Sequence, residues 1–451
     1  MRLLVAVGLL CLPSLLSAQT PAGGSFPVAP PPMQIDARPI SLSEAVDLAH
    51  RFNPSTVQAR GQLRTTGAQV RRSYASFLPS LNFTASSGYT AGVTYFQGNL
   101  VPTSGNPWSF RNGLSANLTL FDGGSRMRDL SAARANERAA ESNEVLQEFN
   151  VALNVKQQYY NVQAAREAES AARVQYDQAL QNFRSATARV QAGAATKSDS
   201  LRSAIEVRNA ELAILQAQQD VLNASASLTR FTGQTSLVTA VPADSLEPIT
   251  ISADSSDLAA LVEGAPSLRQ AQASLAAATA SLKASKAPYW PTLSVSGSYG
   301  VNQSSQGFEA GNLWLLGQGG NPNSRNISFS MSYPIFNQLQ RETSVIQARV
   351  AEDNATAAAR DARLAAQQQL IQTLGTFRLA QNRIEIQQAT VEAAEEDLRV
   401  QRQRYELSAS TLLDVLTSQA TLNQARLSLI QARRDARVAK AQLEAIVGRD
   451  L

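Results

Sequence analysis

The segment Arg404–Leu416 reads RYELSASTLLDVL, and it separates one very long helical pattern from a shorter one. A second version, RVQAGAATKSDSL, occupies Arg189–Leu201 in the first half of the chain. This register continues without a gap to Gly233 and Gly448, and 15 of the 45 aligned positions are identical. An internal repeat of this length predicts two halves that have the same order of elements. The identical positions include Thr196/Thr411, Asp199/Asp414 and Leu201/Leu416.

The composition favours long helices over bulky globular cores. Aromatic residues make up only 6% of the 451 residues, and the apolar content is dominated by Ala and Leu. Small apolar residues of this kind are typical of long helices that pack at close range. The net charge of +4 is small beside 40 basic and 36 acidic residues, and the charges look dispersed along the chain. A nucleic-acid partner requires a clustered basic face, so none is predicted.

Residues 1–18 have the pattern of a secretory signal peptide. Arg2 precedes an apolar run that ends at Leu16, which is too short for a transmembrane helix, and Ala18 is a suitable last residue before cleavage. Cleavage there would remove Cys11, the only cysteine, so the mature chain is expected to have no disulfide. Residues 19–40 are rich in Pro, Ala and Gly and are predicted to be a flexible leader.

The rest of the chain divides into two repeats, 41–233 and 256–448, joined by a linker at 234–255. Each repeat is predicted to contain a helix, two strands, a long helix, a turn and a shorter helix. In the strands the hydrophobic period changes from about 3.6 to 2. They are expected at about 81–95, 109–121, 292–302 and 326–335. The long helix of the first repeat has two apolar stripes, which suits a helix with a neighbour on each side.

Four strands are too few to close a membrane barrel. An open sheet edge is not tolerated in a bilayer, and bacterial outer-membrane barrels begin at about eight strands. Two copies would supply eight strands and three copies twelve. The alternation of apolar residues with Ser, Thr and Asn suits one face in lipid and one in a water-filled lumen. The alternative is a soluble β-hairpin domain on a coiled-coil stalk, and the pattern leaves both open. Candidate membrane-interface aromatics are Tyr95, Trp108, Phe121, Tyr289, Trp290 and Tyr333.

Several short motifs, repeated in the same order, resemble those of TolC-type outer-membrane efflux proteins. Proline leads into a strand at Pro79–Leu81 and Pro291–Leu293, and similar motifs lead out at Leu120–Gly124 and Pro334–Asn337. The LLDVL turn around Asp414 also fits, and the resemblance covers nearly all of the mature chain.

The resemblance implies a mainly α fold with a β-barrel part. Three copies would close one twelve-stranded barrel in the outer membrane of a Gram-negative bacterium and one long α-helical tunnel in the periplasm. It implies no catalysis and no cofactor. The expected function is an exit duct for a tripartite efflux or type I secretion system, opened at its periplasmic end. Its expected partners are a periplasmic adaptor (membrane fusion) protein and an inner-membrane pump of RND or ABC type.

The two turns contain the candidate gate residues. Thr196–Asp199 and Thr411–Asp414 match a helix-start signal, in which the acid stabilises the first turn of the helix. In a threefold tube, Asp414 would also form an acidic ring that attracts cations and whose mutual repulsion raises the carboxylate pKa. The resemblance places Tyr405 in the closure of the entrance.

The second turn departs from the family pattern at three positions. Ser410 replaces a locking arginine, Thr417 replaces a second entrance acid, and Ser408 replaces the glycine that the first turn keeps as Gly193. We therefore expect a weaker or differently built lock.

The sequence offers no constellation for catalysis. His50 is the only histidine, and no Cys/His group is present for metal binding or nucleophilic attack. Enzymatic activity is therefore not predicted. The alternative to an exit duct is a periplasmic coiled-coil adaptor or scaffold protein.

Overall fold

The structure is a computed structural model that describes residues 36–89, 92–102, 108–241, 262–304, 323–407 and 409–449. The predicted signal peptide, most of the leader, most of the linker and Ser408 lie outside these residues. Seven α-helices occur in the described part: α1 (Leu42–Phe52), α2 (Pro54–Ala75), α3 (Ser125–Gln191), α4 (Lys197–Thr232), α5 (Pro266–Ser285), α6 (Gln340–Glu406) and α7 (Leu412–Val447).

The two repeats contain helix pairs of equal length. Helices α3 and α6 each have 67 residues, and α4 and α7 each have 36. No proline interrupts any of the four, and at 1.5 Å per residue the longer two extend roughly 100 Å. Both shorter helices end at a glycine with positive φ, Gly233 and Gly448, which allows the chain to leave the helix in the left-handed conformation.

Four strands, β2 (Ser80–Tyr89), β5 (Trp108–Phe121), β7 (Thr292–Ser304) and β8 (Asn323–Ser332), form one antiparallel sheet in this order. Along this sheet hydroxyl and apolar positions alternate, because successive side chains of a strand point to opposite faces. On one face Ser294 and Ser330 hydroxyls lie 2.7 Å apart, as do those of Ser296 and Ser328. The adjacent pairs along the strands, Leu293 with Met331 and Val295 with Phe329, belong to the other face.

The first predicted strand, 81–95, is wrong at its far end. Strand β2 stops at Tyr89, and β3 (Val93–Phe96) instead pairs with β4 (Asn99–Pro102) in a separate hairpin. Gln97 and Gly98 both have positive φ, which is the backbone of a tight two-residue hairpin turn. The last strand also ends earlier than predicted, at Ser332, and Pro334, which cannot donate to a strand ladder, lies just beyond it.

Parts of the predicted leader and linker are structured. Strand β1 (Arg38–Ile40) pairs in parallel with β6 (Val238–Ala240). Ile40, Val238 and Ala240 are buried in a cluster with residues of α1, α3 and α4. Strands this short have no readable hydrophobic period, so burial in this cluster, rather than local sequence, explains them.

The first predicted helix is divided in two at Asn53. The Asn53 side-chain oxygen accepts a 2.9 Å hydrogen bond from Ser55 N, which caps α2, and its amide nitrogen donates at 2.9 Å to the Phe231 carbonyl. Pro54 then occupies the first position of α2, where its missing N–H is tolerated. The second repeat begins differently, because residues 262–264 form a 3-10 turn before Pro266 starts α5.

The helices form one wall with two open edges. Near the sheet the contacts run α2–α3–α5–α6, and towards the turns they run α4–α3–α7–α6. Helix α6 is therefore one edge of the wall, and α2 followed by α4 is the other. Among the described residues, none of the helices is long and apolar enough to cross a membrane.

Candidate functional site

The first helical turn joins α3 to α4 through a Schellman motif. Gly193 has φ +73, Ala194 N donates to the Arg189 carbonyl at 2.8 Å, and Gly193 N donates to the Val190 carbonyl at 3.0 Å. These bonds satisfy carbonyl groups that the end of a helix leaves without partners. Helix α4 then starts with a capping box between Thr196 and Asp199.

The second turn, between α6 and α7, shares one backbone bond and the capping box with the first. Ala409 N donates to the Arg404 carbonyl at 2.7 Å, the equivalent of the Ala194 bond in the first turn. The Asp414 carboxylate accepts from both Thr411 N and Thr411 Oγ1 at 2.8 Å, while Asp414 N donates to Thr411 Oγ1 at 3.3 Å. The matching bonds of Asp199 and Thr196 are 3.1, 2.8 and 3.3 Å long. Both acids therefore have the same local role.

The capping bonds lower the pKa of Asp414. The backbone and side-chain hydrogen bonds from Thr411 are the main causes, and the positive charge of Arg404 contributes in the same direction. The predicted increase in pKa from like charges would require neighbouring copies. Within one chain the Asp414 pKa is lowered instead.

Ser410 and Thr417 bond to the backbone of their own turn. The Ser410 hydroxyl donates to the Gln401 carbonyl at 3.3 Å, in the last two turns of α6. The Thr417 hydroxyl donates at 2.8 Å to the Leu413 carbonyl, one helical turn earlier in α7, and is exposed. Neither side chain replaces the charge of the arginine or acid expected from the resemblance.

Arg189 links the two turns, a role that the sequence reading did not assign to it. Its guanidinium lies over the Tyr405 ring, 4.4 Å from the centroid, and Nη1 donates to the Tyr405 carbonyl at 2.8 Å. The Tyr405 hydroxyl is buried without a hydrogen-bond partner among the described residues. Burial raises the Tyr405 pKa, Arg189 opposes that increase, and Asp199 adds to it. The available sequence signal was that Arg189 opens the first copy of the repeated segment.

Just above the turns the two helix pairs meet through polar side chains, whereas further from the turns Ile430, Val438 and Ala441 of α7 pack into the apolar cluster of α3. Gln419 of α7 is 6% exposed; it accepts a 2.9 Å bond from Asn182 and donates a 2.8 Å bond to Gln178, both on α3. We call these three residues the polar seam. Within each pair the contact is apolar instead: Tyr176, Val207 and Ile214 join α3 to α4, and Leu398, Val415 and Leu422 join α6 to α7.

The predicted interface aromatics occupy two different levels. Phe121, Tyr289, Trp290 and Tyr333 are exposed at the end of the sheet next to the helices. Tyr95 lies in β3 and Trp108 begins β5, at the opposite end. Trp290 packs directly on Gly123, where there is no room for a Cβ atom, so this contact joins the two repeats at the helix end of the sheet.

Two further aromatic contacts at this level were missed. Arg126 lies over Phe77, 5.1 Å from the ring centroid, and Arg341 lies over Tyr289 at 4.9 Å. Arg126 and Arg341 are related by the register of the internal repeat, and each is the second residue of a long helix. Both rings stand just before a strand-entry proline. The register of the internal repeat could therefore have predicted that these two arginines occupy equivalent places.

The profile of the outer membrane efflux protein family matches residues 45–234 and 258–449. The pyoverdine export outer membrane protein OpmQ of Pseudomonas aeruginosa is 28% identical over 403 residues, which cover 84% of this chain and 79% of OpmQ. The CyaE protein of Bordetella pertussis is 28% identical over 365 residues, covering 79% of this chain and 72% of CyaE.

Solved channel structures share the fold. A crystal structure of CusC, described as undergoing conformational changes on transmembrane channel formation, superposes with a TM-score of 0.76 at 18% identity and covers 96% of this chain and 99% of its own. The open state of the Neisseria gonorrhoeae MtrE outer membrane channel gives 0.73 at 19% identity, covering 97% of each chain. The resemblance stated from the sequence motifs is confirmed.

Proposed function

Because this chain belongs to the outer membrane efflux protein family, we propose that it is the exit duct of a tripartite efflux or type I secretion system. The family consists of outer-membrane channel proteins and not of enzymes. In the proposal, three copies form a passive channel. A periplasmic adaptor protein and an inner-membrane pump of RND or ABC type deliver the cargo and supply the energy. The working unit of each copy is the pair of repeats 41–233 and 256–448, joined by 234–255.

The observation that carries the proposal is that the helical wall and the sheet both end in open edges. Among the described residues, strands β2 and β8 each have a neighbour on one side only. Helices α4 and α6 likewise each retain an exposed stripe of large apolar residues. A head-to-tail interface between copies closes into a ring and covers both kinds of edge at once. The stripes consist of Leu201, Ile205, Leu212 and Leu215 on α4, and Ile346, Val350, Leu364, Ile371, Leu379 and Ile386 on α6.

The heights of the two stripes are compatible with this closure. Leu215 lies about five helical turns beyond Lys197, the first residue of α4. Ile386 lies about five and a half helical turns before Glu406, the last residue of α6. At 1.5 Å per residue, both side chains are roughly 30 Å from the loops that join the helices. When copies are related by rotation about the tube axis, equal heights allow α4 of one copy to pack on α6 of the next.

The two faces of the sheet support a lipid-exposed barrel. The hydroxyl face, with its paired Ser294/Ser330 and Ser296/Ser328, suits a water-filled lumen. The apolar face, with Phe329 and Met331 exposed in the single chain, suits lipid. Three copies give twelve strands, within the range of bacterial outer-membrane barrels, and an even number.

The polar seam supports a movable gate. Amide groups can exchange their hydrogen bonds with water at small cost, whereas separating a packed apolar interface exposes its surface to water. We therefore place the opening movement between the α3/α4 pair and the α6/α7 pair. The contact of Arg189 with Tyr405 is the clasp that holds the pairs together at the turns. Three Asp414 carboxylates form the charged ring at the constriction, and Ser410, Thr411, Thr417, Gly193, Thr196 and Asp199 shape the turns.

Membrane extraction and conductance test this function. The protein expressed with its leader is expected in the outer-membrane fraction, to require detergent for extraction, and to migrate as a heat-sensitive oligomer. In planar bilayers the purified protein is expected to give discrete cation-selective channels. A protein that is released without detergent and produces no conductance would instead fit the periplasmic scaffold alternative.

A further inference from the structure

Four short segments surround the helix end of the sheet at one level. Each adjoins the end of a strand on its helix side, and together they comprise 71–79, 122–130, 283–291 and 333–341. Strand register places all four at the same end, because Ser80 pairs with Asn117, Phe121 with Leu293, and Thr292 with Ser332. We call these four segments the collar.

The positive charge of the chain is concentrated in the collar. It contains seven basic residues and two acidic ones, a net charge of +5, whereas the whole chain has +4. All the rest of the chain therefore has a net charge of −1. The charges are less dispersed than they look along the sequence, because the fold gathers four separated segments. The basic residues are Arg71, Arg72, Arg126, Arg128, Lys283, Lys286 and Arg341, and the acidic ones are Asp122 and Asp129.

The acidic residues of the collar do not neutralise its exposed cations. Asp122 is already paired with Arg126 at 2.7 Å, and Asp129 accepts a hydrogen bond from Ser125. Arg71, Lys283 and Lys286 are exposed, and no carboxylate in the described part of the chain forms an ion pair with them. Their charges are thus available to a ligand.

Aromatic rings occupy the same level as the cations. Six aromatic side chains in the collar are exposed, and three of them have an arginine guanidinium over the ring: Arg126 over Phe77, Arg341 over Tyr289, and Arg134, which lies just beyond the collar, over Tyr74. Rings of this kind prefer the boundary between hydrocarbon and headgroups, which would place the cations at phosphate depth. The six rings are Tyr74, Phe77, Tyr289, Trp290, Tyr333 and Phe336.

We propose that the collar binds the phosphate groups of anionic glycerophospholipids in the leaflet on the helix side of the membrane. This inference rests on the proposed function, which puts the sheet in the bilayer and the helices in the periplasm. Lys and Arg side chains form charge-assisted hydrogen bonds with phosphate oxygens. A lipid with a net negative charge is therefore held more tightly than a zwitterionic one of the same chain length.

Trp290 is a reporter placed inside the collar. With Trp108 and Trp314 replaced by Phe, the full chain retains a single tryptophan at this level. The protein is reconstituted in phosphatidylcholine vesicles that contain increasing fractions of dibrominated phosphatidylglycerol or dibrominated phosphatidylcholine. Bromine quenches tryptophan fluorescence at short range, so the ratio of the two quenching curves gives the relative binding constant at Trp290.

We expect phosphatidylglycerol to be favoured by at least about fivefold, the factor for roughly one well-placed cation at an anionic surface. The variant Arg71→Gln/Lys283→Gln/Lys286→Gln is expected to reduce this preference below about twofold, as is 1 M salt, at which the Debye length is about 3 Å. The matched control Arg360→Gln/Arg378→Gln/Arg383→Gln removes three exposed cations from the middle of α6 and is expected to leave the preference unchanged.

The outcomes separate the two proposals. Equal quenching by both lipids contradicts phospholipid binding by the collar, as does an equal loss of the phosphatidylglycerol preference in the collar and control variants. Neither result contradicts the proposed exit duct. No quenching by either lipid places Trp290 outside the bilayer boundary, which contradicts the membrane placement as well.

Discussion

The Arg189 guanidinium lies 4.4 Å from the centroid of the Tyr405 ring and donates a 2.8 Å hydrogen bond to the Tyr405 carbonyl. The two residues belong to different repeats, whose helix pairs are also joined near the turns by the amides of the polar seam. The expected lock had an arginine at the position of Ser410. In this chain an arginine of the first repeat, Arg189, contacts both the ring and the backbone carbonyl of Tyr405 in the second repeat.

Replacing Arg189 by Ala is expected to increase channel opening. The substitution removes a cation–π contact of about 0.5–2 kcal/mol and one charge-assisted hydrogen bond. Since each 1.4 kcal/mol changes an equilibrium about tenfold, the open-to-closed ratio should increase by at least about tenfold. Single-channel open probability in planar bilayers measures this ratio directly.

Tyr405→Phe is the matched control for that experiment. The Tyr405 hydroxyl has no hydrogen-bond partner among the described residues, so removing it keeps both the ring contact and the carbonyl bond. Tyr405→Phe should therefore conduct like the wild type, while Tyr405→Ala should resemble Arg189→Ala. If Tyr405→Phe alone opened the channel, the hydroxyl and not the ring would be the working part of the clasp.

Asp414→Asn should reduce cation selectivity with little loss of stability. Asparagine removes the charge, but its side-chain oxygen still accepts hydrogen bonds at the start of a helix. Thr411→Ala should have the opposite effects, because it removes the capping hydroxyl and keeps the acid. It should lower stability by about 1 kcal/mol and leave the selectivity unchanged. Reversal potentials in a salt gradient and thermal unfolding, measured on both variants, separate the two roles.

Asp199→Asn controls for turn geometry, since Asp199 has the same capping bonds in the first turn. We expect it to leave selectivity unchanged. Selectivity that survives in Asp414→Asn would show that Asp414 serves only as a cap.

Cation selectivity is expected to persist from pH 7 down to about pH 5, above the usual aspartate range. The bonds from Thr411 lower the Asp414 pKa, so its charge and its stabilising bonds are fully present above the unfolded-state pKa. Both are lost only as the pH falls through the lower folded-state value. Thr411→Val should move this loss to higher pH. A loss between pH 7 and 5 in the wild type would mean that repulsion within the Asp414 ring outweighs the cap.

Three glycines with positive φ should differ in their tolerance of alanine. A left-handed backbone costs an alanine about 1–2 kcal/mol at each of them. At Gly193 no atom of the described residues lies within 4 Å of an added Cβ, whereas at Gly233 it would stand 2.8 Å from the Phe52 carbonyl oxygen and at Gly448 2.8 Å from the Pro266 ring. Thermal unfolding should therefore show Gly233→Ala and Gly448→Ala to be less stable than Gly193→Ala. Equal losses would indicate that φ alone determines the cost.

The local features of the turns could be predicted from sequence. The register of the internal repeat is visible in the sequence, and the T-x-x-D signals act within a single helical turn. The structure has both capping boxes with nearly identical bonds. The hydrophobic period likewise indicated the long helices, because it extends over many turns without proline.

Contacts between distant segments could not be predicted in this way. The pair Arg189 and Tyr405 depends on how two helix pairs are placed side by side, which no local pattern specifies. The same holds for the parallel strands of Arg38–Ile40 and Val238–Ala240, whose pairing follows from the burial of Ile40 and Val238. The collar also appears only when four segments are brought to one level.

Disulfide cross-linking between the two wall edges tests the closed ring most directly. The double variant Leu215→Cys/Ile386→Cys places one thiol on α4 and one on α6 at matching heights, and the only native cysteine, Cys11, lies in the predicted signal peptide. Leu215→Cys/Ile371→Cys is the matched control, since Ile371 lies about four helical turns, or about 22 Å, further from the end of α6. After oxidation, non-reducing electrophoresis should show covalent species that end at three chains for the first variant and none for the control. A series that ends at two chains, or no cross-linking at all, would contradict the trimeric duct.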